Sequence, residues 1–419
     1  MLYSPAHPAQ AGHRLNSMRW LILTGLWLSY LSFGVVVASL APLVPVIQAD
    51  LGMSHSAMGS VMGAWQLVYI IAAVPCGILL DRLGARWALT LGVLLVVASA
   101  AGRAMAADYW GLLFAVMLFG LGGPIISSGA PKVVTGIFQG SQRGLAMGIY
   151  MTGPTLGGIL SLTLTHSVLL PLFEQSWRSV MLVWGGFALA AALIWLFIAS
   201  VFGPKVDGFS NEPESHHQKQ SSTGVIRDLL GQPAIQLLLV MAIGAFLFNH
   251  GLNNWLPELL RSGGMSIVQA GYWAALPLVV GIIGSLTIPR LATPERRFKI
   301  LFTLCIAAAL ASLGLMLEGP TTLTGALILQ GFVRSSLMTV LILTLMELPA
   351  VSERHAGTAS GLFFSAAEVG GVLGPLGLGL MYDLTGGFQA GLYALAGLAA
   401  AMAMGAVFLS KLASKSRSA

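Results

Sequence analysis

The chain has 419 residues, 56% of them hydrophobic and only 9% charged, with a mean hydropathy of +0.84. A soluble domain carries about 25% charged residues, so a water-soluble globular protein is excluded. The formal net charge of +6 does not point to nucleic acid either, because the cations alternate along the chain with long apolar runs instead of gathering in one patch.

Those runs exceed about 18 residues, the length that crosses a bilayer as a helix, and the alternating ten-residue segments of a membrane barrel are absent. In chain order the predicted spans are about 20–44, 57–80, 87–105, 110–134, 144–169 and 180–202, then 235–259, 270–288, 300–317, 322–346, 358–382 and 391–411. The chain therefore reads as an all-α polytopic membrane protein of twelve transmembrane helices. The first run has neither the short apolar core nor the small-residue cleavage site of a signal peptide and is expected to be a retained helix. The longest polar stretch, 203–234, contains Glu212-Pro-Glu-Ser-His-His217 and reads as a linker between an N-terminal half, 1–202, and a C-terminal half, 235–419. His216 and His217 read as solvated loop residues, so no metal is expected. Cys76 and Cys305 both fall in apolar spans, which implies no disulfide.

Sixteen of the twenty-one Lys and Arg lie on the side of the N-terminus, three (Arg103, Arg178, Arg261) near the opposite side and two (Lys132, Arg334) within spans. This positive-inside bias predicts cytoplasmic termini in the cell inner membrane. Twelve crossings return Lys411, Lys415 and Arg417 to the same side.

The halves repeat. Gly144, Ala146, Gly148, Gly157 and Gly158 recur at a constant offset of 213 as Gly357, Ala359, Gly361, Gly370 and Gly371. Parallel six-helix repeats are a transporter architecture, with substrate held near the midplane between them.

Between the second and third spans runs Gly77-Ile-Leu-Leu-Asp81-Arg82-Leu-Gly84-Ala-Arg86. It resembles the G-x-L-x-D-R-x-G-x-R signature of the major facilitator superfamily (MFS), at the place that family has it. The resemblance implies an MFS fold of two pseudo-symmetric six-helix halves and a conformational latch made by Gly77, Asp81, Arg82 and Arg86. The corresponding turn of the second half, Pro289-Arg290 onward, lacks the acid. Gly153-Pro154-Thr-Leu-Gly157-Gly158 is similar to the core motif of proton-driven drug antiporters, but Gly120-Leu-Gly-Gly-Pro124 stands where those carry an arginine. Pro131-Lys132, Gln142-Arg143-Gly144, Trp177-Arg178, Asn254-Trp-Leu-Pro257 and Ala356-Gly-Thr-Ala-Ser-Gly361 resemble the cyanate permease and anion:cation symporter branches. The glycine-rich signature of nitrate porters is not evident.

The spans implied to line a cavity carry the candidate site. Arg334, in the tenth span, keeps its proton and demands an anion, either a substrate or Glu368 of the eleventh span. A charge at mid-bilayer costs about 2.5–3.5 kcal/mol even on insertion scales. Lys132 either snorkels to the interface or binds ligand. Asn249, His250, Asn253 and Asn254 form i,i+4 pairs on one flank of the seventh span, a wetted wall or a helix–helix glue. Tyr150 is a further pocket candidate, and Glu368 and His250 are the candidates for proton coupling. No nucleophile elbow, phosphate loop or zinc spacing appears, so neither an enzyme nor an ATP-driven pump is expected, and no cofactor. The reading is a monomeric secondary transporter of a small, organic anion, coupled to protons. The alternatives are a drug/proton antiporter and a transporter-like sensor.

Overall fold

The computed structural model describes residues 8–202, 222–348, 351 and 356–418. Eleven of its helices are long and apolar enough to cross a membrane. One of these, His55–Met105, has 51 residues and would be about 75 Å long at 1.5 Å per residue, more than twice the hydrocarbon thickness. It is broken at Gly84, where φ is 74° and ψ 162°, a conformation in which a Cβ would clash. The break turns one helix into the second and third spans, and twelve crossings result, as expected. An even number of crossings leaves both ends on one face, called here the terminal face; the other is the distal face.

Apolar residues make these helices, and small residues set how closely they pack. A Cβ on Gly157 of the fifth span would overlap the backbone of Leu31 and Val35 in the first, and one on Gly34 would overlap Pro154. In the second half a Cβ on Gly370 of the eleventh span would overlap the Ile243 carbonyl of the seventh. Gly157 and Gly370 are the positions related by the offset of 213, so the repeat in the sequence is a repeat in packing.

The first span is two helices, Pro8–Ala38 and Leu40–Leu51. Arg103 of the third span, expected as a flanking charge, lies fully buried beside their junction. Its Nη1 donates to the Val36 carbonyl at 2.7 Å and to Ser39 Oγ at 3.4 Å, and its guanidinium lies 5.4 Å from the Phe119 ring. It thus ties the third span to the first at the point where the helix is interrupted.

The expected linker is in part ordered: Ser222–Leu230 is helical, with Val225, Ile226, Leu229 and Leu230 on one face and Leu229 buried. His216 and His217 lie outside the described residues.

Candidate functional site

The seventh span, Pro233–Ser262, carries His250, Asn253 and Asn254 to the interface between the two sets of six spans. There, with Arg334, they line a cavity of about 220 Å³. The opposite wall comes from the first half: Phe33, Ala38 and Ala41 of the first span, Trp65 of the second, and Gly158 and Leu162 of the fifth. Four of the expected site residues thus meet in one space.

Arg334 is the charged wall. Among the described residues its guanidinium has no hydrogen-bond or ion-pair partner, and no carboxylate stands within 4.0 Å. The structural pair with Glu368 is therefore not formed. A partly buried cation with no partner in a polar cavity is stabilised by an anion that enters it. Asn249 does not line the cavity; its Nδ2 donates to the Arg334 carbonyl at 3.1 Å and fixes the tenth span against the seventh. Asn254 Nδ2 donates to the His250 carbonyl at 2.8 Å. The His250 ring packs against Phe246 and edge-on to Trp65, with centroids 5.0 and 6.0 Å apart.

The remaining candidates stand apart from this space. Lys132 Nζ lies 2.7 Å from Asp81 Oδ1, so these two charges satisfy each other within the first half. Arg86 Nη2 donates to Ser200 Oγ at 2.9 Å and its guanidinium covers the Trp87 ring at 4.7 Å; Arg82 is exposed. Tyr150 is buried, its ring stacked on Tyr30 with centroids 5.3 Å apart. Glu368 is buried just behind the cavity, and its Oε2 has no partner among the described residues.

Among the described residues the two halves pack most closely from the midplane toward the distal face. A Cβ on Gly59 of the second span would overlap Pro375 of the eleventh, one on Gly271 of the eighth would overlap Leu162 of the fifth, and one on Gly379 of the eleventh would overlap His55. The backbone N–H groups of His55 and Ser56, at the start of the second span, donate to the Asp383 carboxylate at 3.0 and 2.8 Å. The His55 ring stacks on Tyr382 at 3.6 Å. Eighteen residues make five helical turns and return to the same face. Eighteen residues from Gly59, Leu162, Gly379 and Pro375 stand Gly77, Gly144, Gly361 and Gly357, and among the described residues no neighbouring element comes within 4 Å of their Cβ positions. Met151 and Phe364, on the same faces, are 54% and 45% exposed. One continuous face on each helix is packed at its distal end and bare at its terminal end, so a cleft opens to the terminal face.

A family model described as Major Facilitator Superfamily matches residues 26–375. A probable galactarate/D-glucarate transporter of Bacillus subtilis (strain 168) is 26% identical, over 90% of this chain and 88% of its own length. A quinolone resistance transporter of Acinetobacter baumannii is 28% identical, over 82% of this chain and 83% of its own. Among solved structures, a bacterial homologue of the human lysosomal transporter Spinster, described as inward-facing and unoccupied, superposes with a TM-score of 0.70 at 19% identity, covering 95% of this chain and 96% of that one. The likeness is one of fold. With twelve crossings, paired six-helix packing and a polar cavity at the interface, the chain is a multi-pass membrane transporter, not an enzyme, and belongs to the Major Facilitator Superfamily.

Proposed function

We propose that this transporter moves a small organic anion by alternating access, with Arg334 as the counter-charge and Glu368 as the proton-carrying group. The observation that carries the reading is the Arg334 guanidinium, without a partner among the described residues, in the wall of a cavity shared by both halves. His250, Asn253 and Asn254 add polar groups that orient an anion without neutralising it. The volume of about 220 Å³ equals that of about seven liquid waters, which suits a small solute and not a large lipophilic drug. A relative named for galactarate and D-glucarate, both dicarboxylates, supports the same class.

Glu368 is the buried acid beside that cavity. Its buried Oε2 has no partner among the described residues, so this carboxyl is free to take up and release a proton during the transport cycle. The charge bias of the sequence makes the terminal face cytoplasmic, so the open cleft faces the cytoplasm.

Uptake of labelled D-glucarate and a panel of small carboxylates into proteoliposomes tests the assignment. Arg334→Gln is expected to abolish carboxylate uptake while the protein elutes normally in detergent, and Glu368→Gln to remove its dependence on a pH gradient. Undiminished carboxylate uptake in Arg334→Gln would sink the anion reading. The rival, a drug/proton antiporter, is favoured by the quinolone resistance relative; drug export that survives Arg334→Gln would establish it.

A further inference from the structure

Gln66, midway along the second span, is fully buried at the interface between the halves. Its Nε2 lies 3.0 Å from Nδ1 of His250, and its Oε1 is buried with no partner among the described residues. Among the described residues the Oε2 of Glu368 is buried with no partner as well. The two side chains surround one point. A Cβ on Gly371 would stand 3.1 Å from Glu368 Oε2, 3.0 Å from Gln66 Cγ and 3.5 Å from Gln66 Nε2. Both side chains are buried against the same turn of the eleventh span, and neither oxygen has a donor among the described residues, so a proton shared through this contact would satisfy both.

We propose that Gln66 is a positioning residue that turns the protonation of Glu368 into a choice of which His250 nitrogen carries hydrogen, and so into whether the cavity offers an anion a donor or a lone pair. The inference rests on the proton-coupling reading of Glu368 given above.

An amide has a donor end and an acceptor end, and it cannot offer the same end to both neighbours. When Glu368 is protonated, its O–H is matched by Gln66 Oε1. Gln66 Nε2 then donates to His250 Nδ1, which leaves the ring hydrogen on Nε2, pointing to the cavity as a donor beside Arg334. When Glu368 releases its proton to the cleft, the carboxylate requires a donor, and the amide turns its Nε2 toward it. Gln66 Oε1 then faces Nδ1, which must carry the hydrogen. The imidazole stays neutral, giving its Nε2 proton to cavity water and taking one at Nδ1. Its bare Nε2 now meets the anion with a lone pair. Anion binding is thereby favoured when the proton is aboard and disfavoured when it has left, which is the linkage a symporter needs.

Few other charges interfere. The helices against the eleventh span present Tyr69 from the second, its hydroxyl already 2.8 Å from Ser127 Oγ, His250 from the seventh and Arg334 from the tenth near Glu368. His55 of the second and the Glu258–Arg261 pair of the seventh stand at the distal end, and Arg227 and Asp228 of the short helix Ser222–Leu230 at the terminal end. The twelfth carries its described ionisable groups, Tyr393 and Lys411, near its ends.

The test needs no known substrate. Protein labelled with ¹⁵N-histidine in lipid nanodiscs is followed by NMR across pH, with His250 assigned by its loss in His250→Phe. The carboxylic-acid infrared band of Glu368 is followed in parallel, assigned by its loss in Glu368→Gln. The expected result is that His250 exchanges the Nε2-protonated for the Nδ1-protonated pattern as the Glu368 band fades. In Gln66→Met the band still titrates but His250 no longer follows. A His250 tautomer that stays constant, or a ring that becomes cationic, while Glu368 titrates in the wild type would overturn the relay and leave proton coupling standing; so would a switch that persists in Gln66→Met. A Glu368 band that never changes would overturn both. The wild-type measurement decides by itself if Gln66→Met does not fold.

Discussion

Replacing Asp383 with Asn loosens the distal seal, by an amount that the geometry bounds. The carboxylate accepts two backbone N–H groups, from His55 at 3.0 Å and Ser56 at 2.8 Å, and stands 3.6 Å from His55 Nδ1. It also meets the positive end of the second span's helix. A hydrogen bond to a charged group contributes about 1.5–3 kcal/mol, and a carboxylate at a helix N-terminus about 0.3–1 kcal/mol. The side chain is 27% exposed, so solvent screens part of each. Asn keeps one acceptor and loses the charge and one bond, for a net loss of about 1.5 kcal/mol, or about tenfold in the balance between sealed and open distal faces. The packing of Gly59 on Pro375 and the stacking of His55 on Tyr382 remain in the variant, so the fold survives. Spin labels near the distal ends of the second and eleventh spans report the two populations as two distances. Asp383→Asn should enlarge the long-distance population about tenfold, and raising salt from 0.1 to 1 M should move the wild type in the same direction. Distance distributions that coincide for wild type and variant at both salts would show that the carboxylate does not hold the seal.

Gly370→Val places a branched side chain on the Ile243 backbone and should lower the thermal midpoint sharply, as overpacking costs typically 1–3 kcal/mol or more. Gly361→Val, one of the bare-face glycines, should leave the thermal midpoint nearly unchanged but block turnover, read as binding without net flux in proteoliposomes. Lys132→Gln removes the partner of Asp81 without touching the cavity. It should change the rate of transport at saturating anion and leave the half-saturating concentration within about twofold, the reverse of what a cavity cation would do.

Much of the fold was legible in the sequence because lipid imposes a simple rule: long apolar runs, cations on one side, and glycine where helices touch. The offset of 213 was legible for the same reason, since Gly157 and Gly370 answer one packing demand in two places. The site was legible where a residue type is expensive in a membrane, as Arg334 is, or where polar residues crowd one flank, as at His250, Asn253 and Asn254. It was not legible where the meaning lies in a partner distant along the chain. Lys132 finds Asp81 across 51 residues, which the sequence cannot distinguish from snorkelling. Gln66 carries no signal of its own in an apolar span and gains meaning only from His250 and Glu368 near it. Asp383 reads as a charge at the end of a helix, and only the antiparallel approach of the second span shows what it caps. Arg103 reads as a flanking charge because its partners, Val36 and Ser39, lie more than sixty residues away along the chain.

The bare glycines along the open cleft bear on how fast such a carrier can work. An interface that closes over long side chains must immobilise them, at about 0.5–1.5 kcal/mol for each flexible one. Gly77, Gly144, Gly148, Gly357 and Gly361 have no side chain to freeze, so closing those five positions carries almost no entropic penalty of this kind. Helices that already meet through glycine at one end can meet through glycine at the other, and the two arrangements stay close in free energy. A carrier needs that near-degeneracy, because a deep minimum on either side would trap it there with its cargo bound.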